Sequence, residues 1–226
     1  MTDEELDDAA QAEGTKVGTL SIPNVRNRLE RMEGRVSHMY LDKKGKVTVG
    51  VGFLIPNINR AYEYPWRIKR SGRRADRAMI KADWDKVRAK GKGWSARAFA
   101  PITLLELSSL DVSRILDKKI DIYREELRRA LREAELLYEE LPSVILEALF
   151  DMVYTLGQPS FNRQYTELRD AIAARDWAEA AEQSKRDVQA ERNLEIKNLF
   201  YRQMFSEAWE PARELFSPHS GDASNP

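Results

Sequence analysis

The chain has 226 residues, 42% of them hydrophobic, which is enough to bury a substantial core. It has no cysteine, which excludes a disulfide framework and thiolate chemistry, and its two histidines are too few for a zinc site built on imidazoles. Basic and acidic residues number 37 each, so the net charge is zero. We expect one enzyme-sized domain of two lobes, with no metal and no cofactor.

Both ends of the chain are predicted to lie outside this domain. Residues 1–18 are acidic and polar and are predicted to form a mobile tail, and residues 217–226 a disordered one. The N-terminal stretch lacks the basic and apolar regions of a signal peptide, and no apolar run is long enough for a transmembrane segment. We therefore expect synthesis in the cytoplasm without a signal peptide.

A helix followed by a hairpin is predicted after the first tail. Val25, Leu29 and Met32 recur at helical spacing and Gly34 is a natural stop. Two strand-like runs follow, joined by turn residues 42–45. In the second run valines alternate with Thr48, so Thr48 is predicted to face away from the valines and toward a cleft.

Residues 54–100 are predicted to be an irregular insert with an unusual charge. Between Arg67 and Arg97 there are twelve Lys or Arg against three Asp, a local excess of nine positive charges. A solvated loop with tryptophans packed beneath it explains this composition, and so does a nucleic-acid site in which aromatic side chains stack on bases. The aromatic residues concerned are Trp66, Trp84, Trp94 and Phe99.

The remainder of the chain is predicted to be helical. Residues 111–141 have apolar side chains at helical spacing and indicate a long connecting helix, broken once. Pro142 begins a helix with almost no polar face, which ends at Gly157. Asp176 and Glu179 resemble a capping box around Trp177. A final helix is predicted over residues 189–209.

Glu33 and Asp42 are the candidate reacting groups. Hydrolysis of a glycosidic bond requires one carboxylic acid to protonate the leaving oxygen and a second carboxylate on the opposite face of the sugar. A helix end and a hairpin could hold these two side chains and the Thr48 hydroxyl around one cleft. By spacing alone, a pair of solvated surface charges is the better explanation of Glu33 and Asp42, because most pairs of Glu and Asp nine residues apart share no function.

The ordered matches around this pair resemble the catalytic segment of the phage-type lysozymes, the endolysin muramidases of glycoside hydrolase family 24. That family has Glu, eight residues, Asp, five residues, Thr and then Gly-x-Gly. Further resemblances lie on residues 148–157, 176–181 and 191–193, and they weaken between Leu54 and Pro101. Phe53 stands where a histidine is common in the family. The matching residues are Glu33, Gly34, Tyr40, Asp42, Thr48, Gly50 and Gly52.

The resemblance implies a lysozyme-like α+β fold, mainly α, within a single domain over residues 19–216. A small hairpin lobe would contain residues 35–100 and a larger helical lobe residues 101–210. The implied activity is cleavage of the β-1,4 bond between N-acetylmuramic acid and N-acetylglucosamine, with an inverting mechanism. Glu33 would be the general acid, Asp42 the base or electrostatic partner of a water, and Thr48 the residue that positions this water.

The resemblance also implies supporting and substrate-binding residues. Arg192 would face Glu33, although a solvated arginine explains it equally well. The implied substrate contacts are Leu54, Tyr154 and Gln183, which could instead be two core residues and one exposed helix residue. Tyr40, Gly50 and Gly52 would support the site.

The expected partner is peptidoglycan, and no nucleic-acid partner is expected. The enzyme would act as a monomer in the periplasm or cell wall, after release through a holin or injection by a secretion system, and an inhibitor or immunity protein could accompany it. The basic insert would attract anionic wall polymers. Two alternatives stay open: a catalytically weak wall-binding or virion structural protein, and a nucleic-acid-binding protein that uses the insert.

Overall fold

The computed structural model describes residues 16–187 and 190–216, with side chains up to Trp209. It is mainly helical with small antiparallel sheets, which confirms an α+β class that is mainly α. The predicted tails over residues 1–15 and 217–226 lie outside the described residues. Residues 16–18 pair with the backbone of residues 141–143, so at least this end of the predicted tail belongs to the folded part.

The described chain divides into two units. The first contains residues 26–121 and the second the remaining described residues. The division therefore falls later in the chain than the predicted lobe boundary near residue 100.

The predicted helix and hairpin open the first unit. Helix α1 spans Ile22–Glu33 and buries Val25 and Leu29, and it ends at Gly34, whose φ of 72° suits a residue without Cβ. A three-stranded antiparallel sheet in the order β1-β2-β3 follows. Its third strand was not predicted. The strands are β1 Val36–Leu41, β2 Val47–Gly50 and β3 Phe53–Leu54.

Strand β2 is the centre of this sheet, and its alternation is as predicted. Val47 and Val49 are buried on one face with their cross-strand partners Leu41 and Phe53. Gly50 is required where β2 ends, because a Cβ there would stand 2.6 Å from the Phe53 ring and its φ is 67°.

The insert is ordered, so its prediction as irregular was wrong. Helix α3 forms because Asp76 accepts a hydrogen bond from the Met79 amide as its N-cap, at 2.8 Å, and because Ile80, Trp84 and Val87 fall on one buried face. This pattern is short and stands within a strongly charged run. The elements of the insert and the strand after it are α2 Ile58–Tyr62, β4 Arg67–Ile68, α3 Arg77–Lys90 and β5 Leu105–Glu106.

The tryptophans of the insert have different environments. Trp66 and Trp84 are buried, as core packing predicts, whereas Trp94 is 57% exposed and has the Lys90 ammonium 4.8 Å from its ring centroid. Strands β4 and β5 pair with each other. An antiparallel bridge between Arg67 and Arg74 also closes residues 67–74 into a second hairpin. Most basic side chains of the insert are exposed.

The long connecting helix is present with its predicted break. Helix α4 spans Ser109–Glu133, and the boundary between the two units falls inside it. The chain then turns at Glu135, which has a φ of 57°. Helix α5 spans Ser143–Leu156 and is buried over its first eleven residues, as its apolar sequence predicts.

Four helices follow α5 in the second unit, three short ones and a long final one. The first two were not predicted as separate elements: Gly157 ends α5, but the following proline starts a new helix instead of a loop. Asp176 caps the tryptophan-led helix by accepting from the Glu179 amide at 3.0 Å. The helices are α6 Gln158–Gln164, α7 Thr166–Ala173, α8 Trp177–Gln183 and α9 Ala190–Phe216.

Candidate active site

Glu33 is the last residue of α1 and packs against the turn that follows β2. A Cβ added to Gly52 would lie 3.3 Å from Glu33 Oε2 and 3.6 Å from its carboxyl carbon. Gly52 also has a φ of 69°, which side-chain-bearing residues rarely adopt. The second glycine of the Gly-x-Gly segment therefore gives the backbone close access to the Glu33 carboxylate.

Asp42 is half-buried in the turn between β1 and β2. Its Oδ1 accepts hydrogen bonds from the amides of Lys44 at 2.9 Å and Lys46 at 2.8 Å. Its backbone carbonyl accepts from the Gly45 amide at 2.9 Å. The turn thus fixes the orientation of the carboxylate, and Oδ2 accepts no hydrogen bond from the described residues.

Thr48 lies in the centre of the sheet and is only 3% exposed. It is the cross-strand partner of Tyr40 on one side and of Leu54 on the other, so these three side chains form a row on one face of the sheet. Thr48 Oγ1 donates to the Lys46 carbonyl at 3.1 Å. A hydroxyl that donates one hydrogen bond can still accept another.

The ionisation of Tyr40 is affected by both carboxylates. Burial raises the pKa of Tyr40 to about 12, and the negative charges of Glu33 and Asp42 both contribute to this rise. Both carboxylates therefore lie close enough to the phenol to act on its ionisation. The first unit brings together Glu33, Asp42, Tyr40 and Thr48.

Leu54 stands at the edge of the same row, and it is not a core residue. Its side chain is 41% exposed, although it pairs with the buried Thr48. An apolar side chain held open to solvent beside polar groups suits contact with a sugar ring. The core interpretation of Leu54 is therefore wrong, and its contact with substrate stays a prediction.

The other predicted substrate contacts lie in the second unit. The half-buried Tyr154 ring packs on Tyr123, with ring centroids 4.8 Å apart, and lies parallel to Phe150 at 6.2 Å. Gln183 ends α8 and donates to Glu179 Oε1 at 2.7 Å. Tyr154 is therefore anchored in an aromatic cluster, and Gln183 is half-buried and not fully exposed.

Arg192 also lies in the second unit, where it binds a carboxylate that sequence reasoning missed. Its Nη2 donates to Asp151 Oδ1 at 2.8 Å and its Nε to Oδ2 at 3.0 Å. Arg186 Nη1 donates to the same Oδ2 at 2.9 Å. Burial alone would raise the pKa of Asp151, but the hydrogen bonds and charges of Arg192 and Arg186 outweigh it and hold that pKa below its usual range.

A signal for this buried ion cluster exists in the sequence. Asp151 interrupts the almost continuous apolar run of α5, and a buried carboxylate requires a cationic partner. The sequence alone does not say which arginine supplies it. Two do, from positions 35 and 41 residues further along the chain.

The described residues contain no group of three or more His, Asp or Glu side chains that could hold a metal ion. None of the described helices is long and apolar enough to cross a membrane. No protein-family model and no curated protein sequence matches the chain. The case for function therefore depends on the residues of the site.

Proposed function

We propose that this protein is a muramidase with a lysozyme-like fold that hydrolyses the β-1,4 bond between N-acetylmuramic acid and N-acetylglucosamine in peptidoglycan. The observation that supports it best is the geometry of the first unit: the Glu33 carboxylate lies against Gly52 just after β2, and Thr48 stands directly opposite Tyr40 in the sheet. The charges of Glu33 and Asp42, which both raise the pKa of Tyr40, agree with this arrangement. Helix α1, the turn between β1 and β2, and β2 itself supply two carboxylates and a hydroxyl, and glycoside hydrolysis requires such a pair of carboxylates.

Each residue has a role that fits its surroundings. Glu33, held against Gly52, is the general acid that protonates the leaving oxygen. Asp42, oriented by two backbone amides, keeps Oδ2 for the attacking water as base or electrostatic partner. The Thr48 hydroxyl positions that water. We expect inversion at the anomeric carbon, because inversion is the usual outcome in the family that this chain resembles.

The proposed setting is the bacterial cell wall. The enzyme would reach the periplasm after release through a holin or injection by a secretion system, and an immunity protein could protect the producing cell. A catalytically weak wall-binding or virion structural protein would keep the fold without this activity.

The test is lysis of chloroform-permeabilised Gram-negative cells, followed by turbidity. The purified protein should clear the suspension, and Glu33→Gln should abolish clearing because it removes only the ionisable proton of the general acid. Glu30→Gln is the matched control: Glu30 lies three residues earlier on α1 and pairs with the partly exposed Arg35. Clearing by Glu33→Gln at the wild-type rate, with an unchanged melting temperature, would rule out the assigned role.

A further inference from the structure

A pocket of about 440 Å³ opens in the first unit beside the candidate active site. It lies between the turn that precedes β2, the chain that leaves β3, and one side of α3. Trp84 and Arg88 stand four residues apart on α3 and therefore project from the same side of that helix. The residues that matter for its chemistry are Lys46, Val47, Leu54, Ile55, Trp84 and Arg88.

The pocket combines an apolar floor with positive charge. Val47, Ile55 and Trp84 are buried core residues that expose only an edge to it. Lys46 and Arg88 are both exposed, and within the described part of the chain neither side chain makes a hydrogen bond or ion pair. No acidic residue is among those that line it. This composition suits a ligand with carboxylates attached to small apolar groups.

The pocket shares its wall with the candidate active site. The Lys46 amide donates to Asp42 Oδ1, and the Lys46 carbonyl accepts from the Thr48 hydroxyl. Leu54 lines the pocket and is the cross-strand partner of Thr48. A polymer bound at Asp42 and Thr48 would therefore have a side branch within reach of the pocket.

Charge separates the two regions. Glu33 and Asp42 disfavour an anionic group at the reacting bond, whereas Lys46 and Arg88 favour one in the pocket. In peptidoglycan the anionic groups are the carboxylates of the peptide stem on N-acetylmuramic acid, a short branch that also carries methyl groups.

We propose that this pocket binds the carboxylate-bearing peptide stem of the wall glycan and so selects peptide-substituted over bare glycan. This inference rests on the proposed muramidase function. We identify the peptide stem as the ligand because its carboxylates complement the charges of Lys46 and Arg88 and its methyl groups suit the apolar floor between them.

The experiment measures binding by isothermal titration calorimetry to Glu33→Gln protein, which should not consume the ligand. The ligands are the N-acetylglucosaminyl-N-acetylmuramyl disaccharide with its tetrapeptide and the same disaccharide without it. Adding Lys46→Gln and Arg88→Gln should weaken binding of the peptide-bearing ligand about tenfold, which corresponds to about 1.4 kcal/mol, because two exposed ion contacts are lost. Binding of the bare disaccharide should not change.

The matched control is Arg114→Gln with Lys118→Gln, which removes the same charge from two exposed positions four residues apart on α4 that do not line the pocket. If the control pair weakens binding as much as the pocket pair, the effect comes from the overall charge of the protein, and the proposal is overturned. Unchanged binding in the pocket variant would also overturn it. Equally effective competition by inorganic phosphate would show a general anion site and refute the peptide assignment.

The binding result and the proposed function can fail separately. Lysis of permeabilised cells with no effect of Lys46→Gln and Arg88→Gln on binding would overturn the pocket proposal alone. Peptide-dependent binding that requires Lys46 and Arg88, without lysis by the wild-type protein, would overturn the muramidase proposal and support the pocket as a wall-peptide site.

Discussion

Asp42 in the first unit and Asp151 in the second are held in opposite ways. Backbone amides of the turn orient Asp42, which stays half-buried with Oδ2 unoccupied by any described residue. Asp151 is 2% exposed and both of its oxygens accept from arginine side chains. A carboxylate whose acceptors are all used inside the protein has none left for a substrate, so we expect Asp42 to serve chemistry and Asp151 stability.

The largest effect should separate the two aspartates by activity. Asp42→Asn should lower the rate of wall lysis by about 10²–10⁴-fold, because it removes the base while its amide oxygen still accepts from Lys44 and Lys46. Thr48→Ala should be severely impaired too, and Thr48→Ser, which keeps the hydroxyl, should retain most activity. Turbidity with matched melting curves measures both. Near-normal lysis by Asp42→Asn would mean that Asp42, like Asp151, is not required for the chemistry.

Asp151→Asn should instead lower the free energy of unfolding by ~3–5 kcal/mol near pH 7, because two buried arginine charges lose their counterion. The pKa of Asp151 is lowered in the folded protein, so its contribution is full above the unfolded value of ~3.9 and is lost as pH falls through the lower folded pKa. Urea unfolding across pH should show the difference from wild type shrinking below about pH 4. The exposed Asp170→Asn is the control.

Trp177→Ala should cost a similar ~3–5 kcal/mol, again through the second unit. Trp177 is 2% exposed, and its indole nitrogen donates to Glu207 at 2.7 Å. Thermal unfolding should show a lower melting temperature, with activity lost only as a consequence. Trp209→Ala, at a 58% exposed position of the same unit, should change little. An unchanged melting temperature with lost activity would place Trp177 in the site.

A smaller effect should come from the exposed arginines of the insert, Arg70, Arg73, Arg74 and Arg77. Replacing all four with glutamine should lower lysis of whole sacculi several-fold at low salt, and the deficit should fade as salt rises, since the Debye length is ~8 Å at physiological ionic strength. Replacement with lysine keeps the charge and should keep the rate. A short uncharged chitooligosaccharide, if it is a substrate, should be cleaved equally by all variants.

Two results would redirect the interpretation of these arginines. Equal loss on sacculi and on the uncharged substrate would mean that the insert shapes the active site itself. Salt-sensitive binding of DNA or RNA that disappears in the glutamine variant would favour the nucleic-acid alternative.

The smallest effect is spectroscopic and tests how the first unit is assembled. The absorbance difference between wild type and Tyr40→Phe, recorded in rapid jumps to alkaline pH, should titrate near 12 instead of near 10. In a Glu33→Gln background the midpoint should fall, because one of the two negative charges that raise it is gone. Glu30→Gln should leave it unchanged. A midpoint near 10 in the wild type would mean that neither burial nor these two charges act on the Tyr40 phenol.

Short-range features were predictable from the sequence. The apolar spacing of α1, its end at Gly34, the turn around Asp42 and the alternation of β2 each depend on neighbouring residues, and each is confirmed. The apolar α5 and the Asp176 cap follow for the same reason. The candidate residues Glu33, Asp42 and Thr48 were named from their spacing and from the resemblance to the phage-type lysozymes.

Only the tertiary structure decided the features that depend on contacts between distant segments. The charges of Glu33 and Asp42 both raise the pKa of Tyr40, Gly52 packs against Glu33, and Asp151 binds two arginines, because folding brings these side chains together. The order of the insert was missed since the apolar spacing of Ile80, Trp84 and Val87 is short and lies within a strongly charged run, where packing against the rest of the unit decides whether a helix forms. The sequence determines which side chains are present, and the free energy of burying them decides which of them come into contact in the folded protein.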